Sequence, residues 1–215
     1  MTQYCPPAGA VRYLHVDADL IVIDKPAELL SVPGRGPAKA DCALSRVAAD
    51  HADALTVHRL DMSTSGLLLF ARSKPVQRNL STQFERGEVA KAYVADVWGT
   101  PDPAGGLIDL PLSHDWPNRP RQKVNHETGK PSRTEYATMR LHSRGARLRL
   151  TPLTGRTHQL RLHLAAIGHP ILGDDIYAHA EALAAAPRLH LHATTLRLRH
   201  PATGQAVEFE APCPF

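Results

Sequence analysis

The sequence predicts a single α+β domain: a mixed, mainly antiparallel sheet flanked by helices and loops. Three observations predict it. Short runs rich in strand-forming residues recur from Val11 to the C-terminus, while helical periodicity is confined to four brief stretches. Gly, Pro, Asn and Asp punctuate the chain every ten to twenty residues, and neighbouring runs are often joined by short turns. No internal repeat, low-complexity tract or linker divides the 215 residues, which suffice to bury a substantial core.

In order, residues 1–10 contain Pro and Gly and are expected to form an arm, the domain proper running from 11 to 215. Val11–Val16 and Leu20–Asp24 read as strands around an Asp17-Ala18-Asp19 turn. Lys25-Pro26 ends the second strand, and Leu29–Gly36 is a breaker-rich loop. Asp41 is the expected cap of a helix to about Asp50, with Ala43, Leu44, Val47 and Ala48 on one face. A polar turn, His58–Asp61, leads into the apolar strand Leu67–Ala71. Gln77–Arg86 is a helix begun near Pro75, with Leu80 and Phe84 four apart.

Lys91–Trp98 is rich in strand formers, Gly99–Gly106 is a turn region and Leu107–Leu112 a short strand. The segment from Asp115 to Val124, extended to Pro131, holds two prolines, three cations and Trp116 before Val124, and is expected to be irregular. Ser132–Leu141 and Arg147–Pro152 alternate as antiparallel strands. Thr157–Ile167 is the best helix, with Thr157 as expected cap and Gly168 as stop. Ala178–Ala186 is a short alanine-rich helix, and Arg188–Arg199 with Ala206–Glu210 closes the chain as a hairpin.

Composition narrows the function. Apolar content of 43% and charged content of 21% are those of a globular protein, and no apolar run approaches the ~20 residues of a membrane span. Cys5, Cys42 and Cys213 are odd in number and far apart, which argues against a disulfide framework or a zinc site. No signal-peptide pattern opens the chain, so a cytoplasmic location is expected. The net charge is only +4, yet Tyr136–Gly173 contains no Asp or Glu and six arginines. Arginine far outnumbers lysine, and its planar fork suits phosphates and base edges.

Two constellations carry chemistry. In the first, Asp61 is followed by the small residues Ser63-Thr64-Ser65-Gly66 and flanked by the potential cations His58 and Arg59, next to a rigid strand. In the second, Thr154-Gly-Arg-Thr-His-Gln-Leu-Arg-Leu-His163, Gly155 allows a tight turn and Arg156 stands at a strand-to-helix junction. The helix start after it offers backbone N–H groups to phosphate. Thirteen histidines invite a metal reading, but His158 and His163 are five apart rather than four, and His190 and His192 lack a nearby carboxylate in the sequence. No metal is expected.

His-Arg-Leu-Asp61 followed by Ser-Thr-Ser-Gly-Leu-Leu-Leu resembles the signature of the RluA family of RNA pseudouridine synthases. So does Thr154-Gly-Arg-Thr-His-Gln-Leu-Arg-x-His163, continued by Gly168-x-Pro-Ile-x-Gly-Asp and Tyr177. Lys91-Ala-Tyr93 and Leu191-His-Ala193 extend the likeness over nearly the whole chain. The resemblance implies the pseudouridine synthase fold and uridine isomerisation in RNA. That reaction oxidises nothing and imports no group, so no cofactor is expected, and nothing in the sequence demands more than a monomer or an obligate protein partner. Asp61 is then the catalytic carboxylate, Arg156 its partner, which favours the ionised form and fixes the rotamer, and Tyr93 the ring stacked on uracil. Arg59 fills the gap left by the flipped base. Lys25 and Arg35 are weaker candidates for RNA contact. The segment with Trp116, Arg119, Arg121 and Lys123 is similar to that of a member acting on both large-subunit ribosomal RNA and the tRNA anticodon stem-loop, so ribosomal RNA and tRNA are the expected partners. Like that member, the chain has no room before Val11 for the extra N-terminal RNA-binding domain of several relatives.

Glu28 departs from the family pattern, which has glycine at that place in Lys-Pro-x-x-Leu; if positive φ is required there, glutamate costs about 1 kcal/mol. Residues 39–50 match only in helical character. The alternative to an enzyme is a non-catalytic RNA-binding module. It would explain the arginines but leaves the Asp61 turn and the Arg156 junction without purpose, and no RRM or KH signature is present.

Overall fold

A computed structural model describes residues 4–215, so residues 1–3 of the expected arm lie outside the described residues. The chain packs into two compact units, residues 1–91 with 193–214, and residues 92–192 with 215. It leaves the first unit within one strand, β5 (Ala90–Trp98), and returns within another, β11 (Leu191–Arg199).

In the first unit, β1 (Arg12–Val16) and β2 (Leu20–Lys25) form the expected hairpin. Asp17 caps its turn by accepting from the Asp19 and Leu20 N–H groups at 2.8 and 2.7 Å. β2 lies antiparallel to β4 (Ser65–Ala71), all seven residues of which are buried. Such a strand reads as a continuous apolar run because both its faces are covered. Its other edge is shared by the two-residue β3 (Leu55–Thr56), too short to be seen in the sequence, and by β11, which also pairs with β12 (Ala206–Glu210). Gly66 has φ of +109°, and a Cβ there would collide with the backbone of Ala193. Only glycine lets the two strands approach at that point.

α1 (Ala43–Asp50) begins one residue later than expected, and its cap is not Asp41. Cys42 and Ser45 form a reciprocal capping box. The Asp41 carboxylate is taken instead by the Arg46 fork, at 2.8 and 2.7 Å. The same guanidinium donates to the Pro7 and Gly9 carbonyls, and the Tyr4 hydroxyl bridges Asp41 and Leu30, so the described part of the arm is strapped down. α2 (Lys74–Glu85) is capped by Ser73, with Pro75 in its first turn.

Glu28 does adopt positive φ, +63°. A left-handed residue with a Cβ costs about 1–2 kcal/mol, and glycine's extra chain entropy returns about 0.5–1 of it. Glu28→Gly is therefore expected to stabilise the protein by roughly 0.5–1 kcal/mol, seen as a rise in Tm of a few degrees. Glu28→Ala should give no such gain, and equal effects of the two would remove backbone strain as the cause.

In the second unit the order is β5–β10–β9–β6, all antiparallel, with β6 (Gly105–Asp109), β9 (Arg133–His142) and β10 (Gly145–Pro152). Its core gathers Ala95, Val97, Ile108, Leu148 and Leu150 from the sheet with Leu160 and Leu164 from α3 (Gln159–Ala166). The expected strand Leu107–Leu112 is broken at Leu110-Pro111. β7 (Leu112–His114) then pairs with β8 (Gln122–Val124) in a separate hairpin. The stretch expected to be irregular is thus partly regular: cross-strand bonds organise its ends and a single 3₁₀ turn, Trp116–Asn118, organises its tip. α3 starts after His158, not at a Thr157 cap, because His158 is left-handed at φ +54° and makes no capping bond from its side chain. α4 (Ala180–Ala184) is capped by the His179 ring.

Candidate RNA-modifying site

The Asp61 turn is held from beneath by two buried side chains. Lys25, fully buried, donates its ammonium to the carbonyls of Pro26, Leu29 and Met62 at 2.9, 2.8 and 3.0 Å. Ser31 donates to the Leu60 carbonyl and accepts from the Leu60 N–H, at 2.7 and 3.0 Å. The turn closes on itself where the Thr64 N–H meets the Asp61 carbonyl at 3.1 Å. Loop Pro26–Ser31 and turn Leu60–Met62 are therefore one rigid piece, with the half-buried Asp61 side chain on its rim. This corrects the expectation for Lys25: its ammonium is directed at three carbonyls inside the protein, because a buried charge needs such partners, and it presents no exposed group at the surface.

His58 is corrected too. Its Nε2 accepts the Leu69 N–H at 3.1 Å and its ring stacks on Phe84 at 4.7 Å. Burial, reinforced by the Lys91 ammonium, pushes its pKa down to about 3. At neutral pH it is an uncharged wedge between strand and helix, so the turn has one candidate cation, Arg59, whose side chain is exposed. Arg35 is exposed as well.

In the second unit, β5 and β10 run antiparallel with Tyr93 opposite Leu150, so β10 carries the chain from a neighbour of Tyr93 to Arg156 in six residues. Tyr93 is half-buried and packs against the core of this unit. Arg156 is exposed, its Nε at 3.4 Å from the Pro131 carbonyl.

Gln159 holds that loop, a role that sequence reasoning missed. Its amide, only 3% exposed, accepts from the Thr154 hydroxyl and the Arg156 N–H and donates to the Arg133 carbonyl and Thr134 hydroxyl, at 2.7–3.0 Å. Both donors and both acceptor sites of the amide are used, so it fits in one orientation only. The signal available was a polar residue on the buried side of the best helix.

Tyr177, part of the motif read from the sequence, has a role that reading did not assign. Its hydroxyl accepts from the Gln122 N–H at 2.8 Å and bonds His158 Nδ1 at 2.9 Å, which ties the β7–β8 hairpin to the loop carrying Arg156. Beneath it, Arg161 and Asp174, 2% and 0% exposed, form a two-bond ion pair, and Arg161 also reaches Asp175. Burial alone would raise the Asp174 carboxyl, but Arg161 and the Ile176 and Tyr177 N–H groups hold it below its ordinary value. At the hairpin tip, Trp116 is 62% exposed with the Arg119 guanidinium 3.5 Å above its ring. Arg121 and Lys123 are exposed beside them.

Several of the histidines have structural roles. His163 is wedged between the Thr134 hydroxyl and the Leu110 carbonyl. His190, expected to lack a carboxylate, has Asp96 at 3.2 Å, but that carboxylate is bound to both arms of Arg147. Asp17, Asp19 and His200 bring three ligand atoms within 4.8 Å, in a place where Asp17 already caps a turn and accepts from His15 and His200.

Comparison with known proteins gives the following. The family model described as RNA pseudouridylate synthase matches residues 19–166, a span that includes Asp61, Tyr93 and Arg156. The protein named dual-specificity RNA pseudouridine synthase RluA from Salmonella typhi is 51% identical over 217 residues, covering 100% of this chain and 99% of its own length. Its namesake from Escherichia coli K12 matches to the same extent. Among solved structures, human RNA pseudouridylate synthase domain containing 1 superposes with a TM-score of 0.82 at 27% identity, over 98% of this chain and 87% of the human one.

Proposed function

The chain belongs to the RNA pseudouridylate synthase family, whose members are isomerases with an α+β fold, and from that premise we propose that it converts uridines to pseudouridine in large-subunit ribosomal RNA and in the tRNA anticodon stem-loop. The observation that carries the proposal is the Asp61 turn, clamped by buried Lys25 and Ser31 in a chain that matches dual-specificity RNA pseudouridine synthases from end to end. A buried ammonium spent on orienting one short turn has no purpose in a module that only binds RNA.

The reaction breaks the bond between the ribose carbon and the uracil nitrogen and joins the same ribose carbon to a ring carbon. That ring carbon loses its hydrogen and the nitrogen gains one. Nothing is oxidised and no group is imported, so the chemistry calls for no cofactor. Asp61 acts as nucleophile at the sugar or as base in a glycal-type route. The family resemblance assigns Arg156 to favouring the ionised form of the carboxylate and Tyr93 to stacking on the uracil, and we adopt both roles as part of the proposal. Arg59 occupies the space left by the extruded base. Trp116, Arg119, Arg121 and Lys123 select the RNA by stacking and phosphate contact, with Arg35 as a further contact.

The test is to incubate the purified protein with a large-subunit ribosomal RNA fragment and with an anticodon stem-loop, and to map pseudouridine in each. Conversion in neither sinks the proposal, and conversion in one removes the dual range. On a competent substrate, Arg59→Ala is expected to slow single-turnover modification of a stacked target by on the order of tenfold, about 1.4 kcal/mol. The defect should shrink when the target uridine is held unstacked. Arg59→Lys should recover little, since an ammonium is not planar. Equal defects on both RNAs would assign Arg59 to the phosphate backbone instead.

A further inference from the structure

Away from the Asp61 turn, the first unit carries an open groove of about 530 Å³ between the outer face of α2 and the turn joining β11 to β12. Arg78 and Arg86 line one wall and Arg199 the other, with Glu88 the one acidic residue in the lining. We propose that this groove is a second RNA-binding surface, which takes the phosphate backbone of the strand flanking the target stem-loop. The inference rests on the reading of the protein as an RNA-modifying enzyme but concerns residues that reading does not use.

The groove is built rather than incidental. Gln83, 6% exposed, bonds the Arg199 carbonyl and N–H at 2.8 and 3.0 Å and the Asn79 side chain at 2.8 Å. The helix and the turn are thereby stapled into one frame, with the arginine side chains left at the surface. Arg78 on α2 and Arg86 at its C-cap are eight residues apart, about 12 Å along the helix axis. Arg78 has no ion-pair partner among the described residues, and Arg86 stands 4.0 Å from Glu88 with both groups exposed, where water and salt screen the pair. Arg199 Nη1 touches only the Gly204 carbonyl, at 3.3 Å.

The lining chemistry favours nucleic acid over an acidic protein. Protein interfaces are anchored by aromatic and aliphatic side chains in pockets, and the groove's apolar lining is limited to Pro75 and Pro201. Three arginines lining one groove supply the forked donors that phosphate recognition uses. No base edge is read by such a set, so the surface adds affinity without sequence preference.

The experiment compares wild type with Arg78→Gln/Arg86→Gln/Arg199→Gln, using the bare target stem-loop and the same stem-loop within a longer natural RNA. Gln83 holds Arg199 by its backbone, so the fold is expected to survive, and an unchanged Tm checks this. Affinity for the long RNA should fall on the order of tenfold or more, and the slope of log affinity against log salt should flatten by about two to three. Single-turnover rate and affinity on the bare stem-loop should not change. An unchanged salt slope on the long RNA overturns the proposal and leaves the groove to a protein ligand. Equal losses on both RNAs overturn it as well, by making the groove part of the target-uridine site. If the triple variant misfolds, Arg78→Gln alone should flatten the slope by about one. Retained activity of the wild type on the bare stem-loop keeps these outcomes separate from failure of the enzymatic reading.

Discussion

Asp61→Asn is expected to reduce pseudouridine formation on the order of a thousandfold or more, about 4 kcal/mol of transition-state stabilisation. The change keeps the side chain's size and removes the charge that attacks or abstracts. It should not disturb the turn, because the bonds that hold the turn are made by the Asp61 carbonyl and by Lys25 and Ser31. RNA affinity should therefore remain within a few fold, and Tm should be unchanged. Single-turnover assays with saturating enzyme separate the two effects. Activity above a few per cent of wild type would move the chemistry to another residue.

The second large effect is on stability. Arg161→Met leaves Asp174, 0% exposed, as a buried carboxylate without its counter-ion. Breaking a buried pair from one side costs about 3–5 kcal/mol, a large fraction of the ~5–15 kcal/mol that holds a domain together. Tm should fall by roughly 10 °C. The double variant Arg161→Met/Asp174→Leu should recover much of the loss, since it removes both charges. In wild type the Asp174 carboxyl titrates below its ordinary value, so its contribution is complete above the unfolded carboxylate's range and is lost as pH falls through the folded value. Without Arg161, burial raises that carboxyl, and acid then relieves the variant by protonating it. The stability gap between Arg161→Met and wild type should accordingly narrow as pH falls. A gap that stays constant with pH, or a double variant no better than the single one, would show that packing rather than charge accounts for the loss. Because the Tyr177 N–H is held by Asp174 and its hydroxyl holds both Gln122 and His158, the same variant should loosen the β7–β8 hairpin and the Arg156 loop together.

Much of the fold was legible because its signals are local. β2 and β4 announce themselves as continuous apolar runs, since a strand covered on both faces has no polar side to show. Ser73 and Pro75 mark the start of α2 without help from the rest of the chain. The helix caps were less legible. Asp41 is as good a cap on paper as Cys42, and the choice was made by Arg46, which took the carboxylate. The β7–β8 hairpin was hidden for a similar reason: three-residue strands around a proline-rich tip have too few side chains to show a period.

The sequence by itself singled out two motifs, one around Asp61 and one around Arg156, as the candidates for the chemistry, because their residue types and spacing are specific without reference to anything distant. It also located one of the two left-handed non-glycine residues among those described, Glu28, since a missing glycine is visible in a single line of text, whereas left-handed His158 gave no such sign. What only the tertiary structure decided is which charges are available for function. Lys25 reads in the sequence as a candidate for RNA contact, His58 as a cation beside Asp61 and Arg161 as one of many arginines, yet burial has assigned them to three carbonyls, a backbone N–H and a carboxylate. Arg78 and Arg199, far apart in the chain and part of no motif, face one another across a groove because Gln83 binds a strand end 116 residues away. The cost of desolvating a charge depends on every neighbour that excludes water from it, and those neighbours are chosen by the fold.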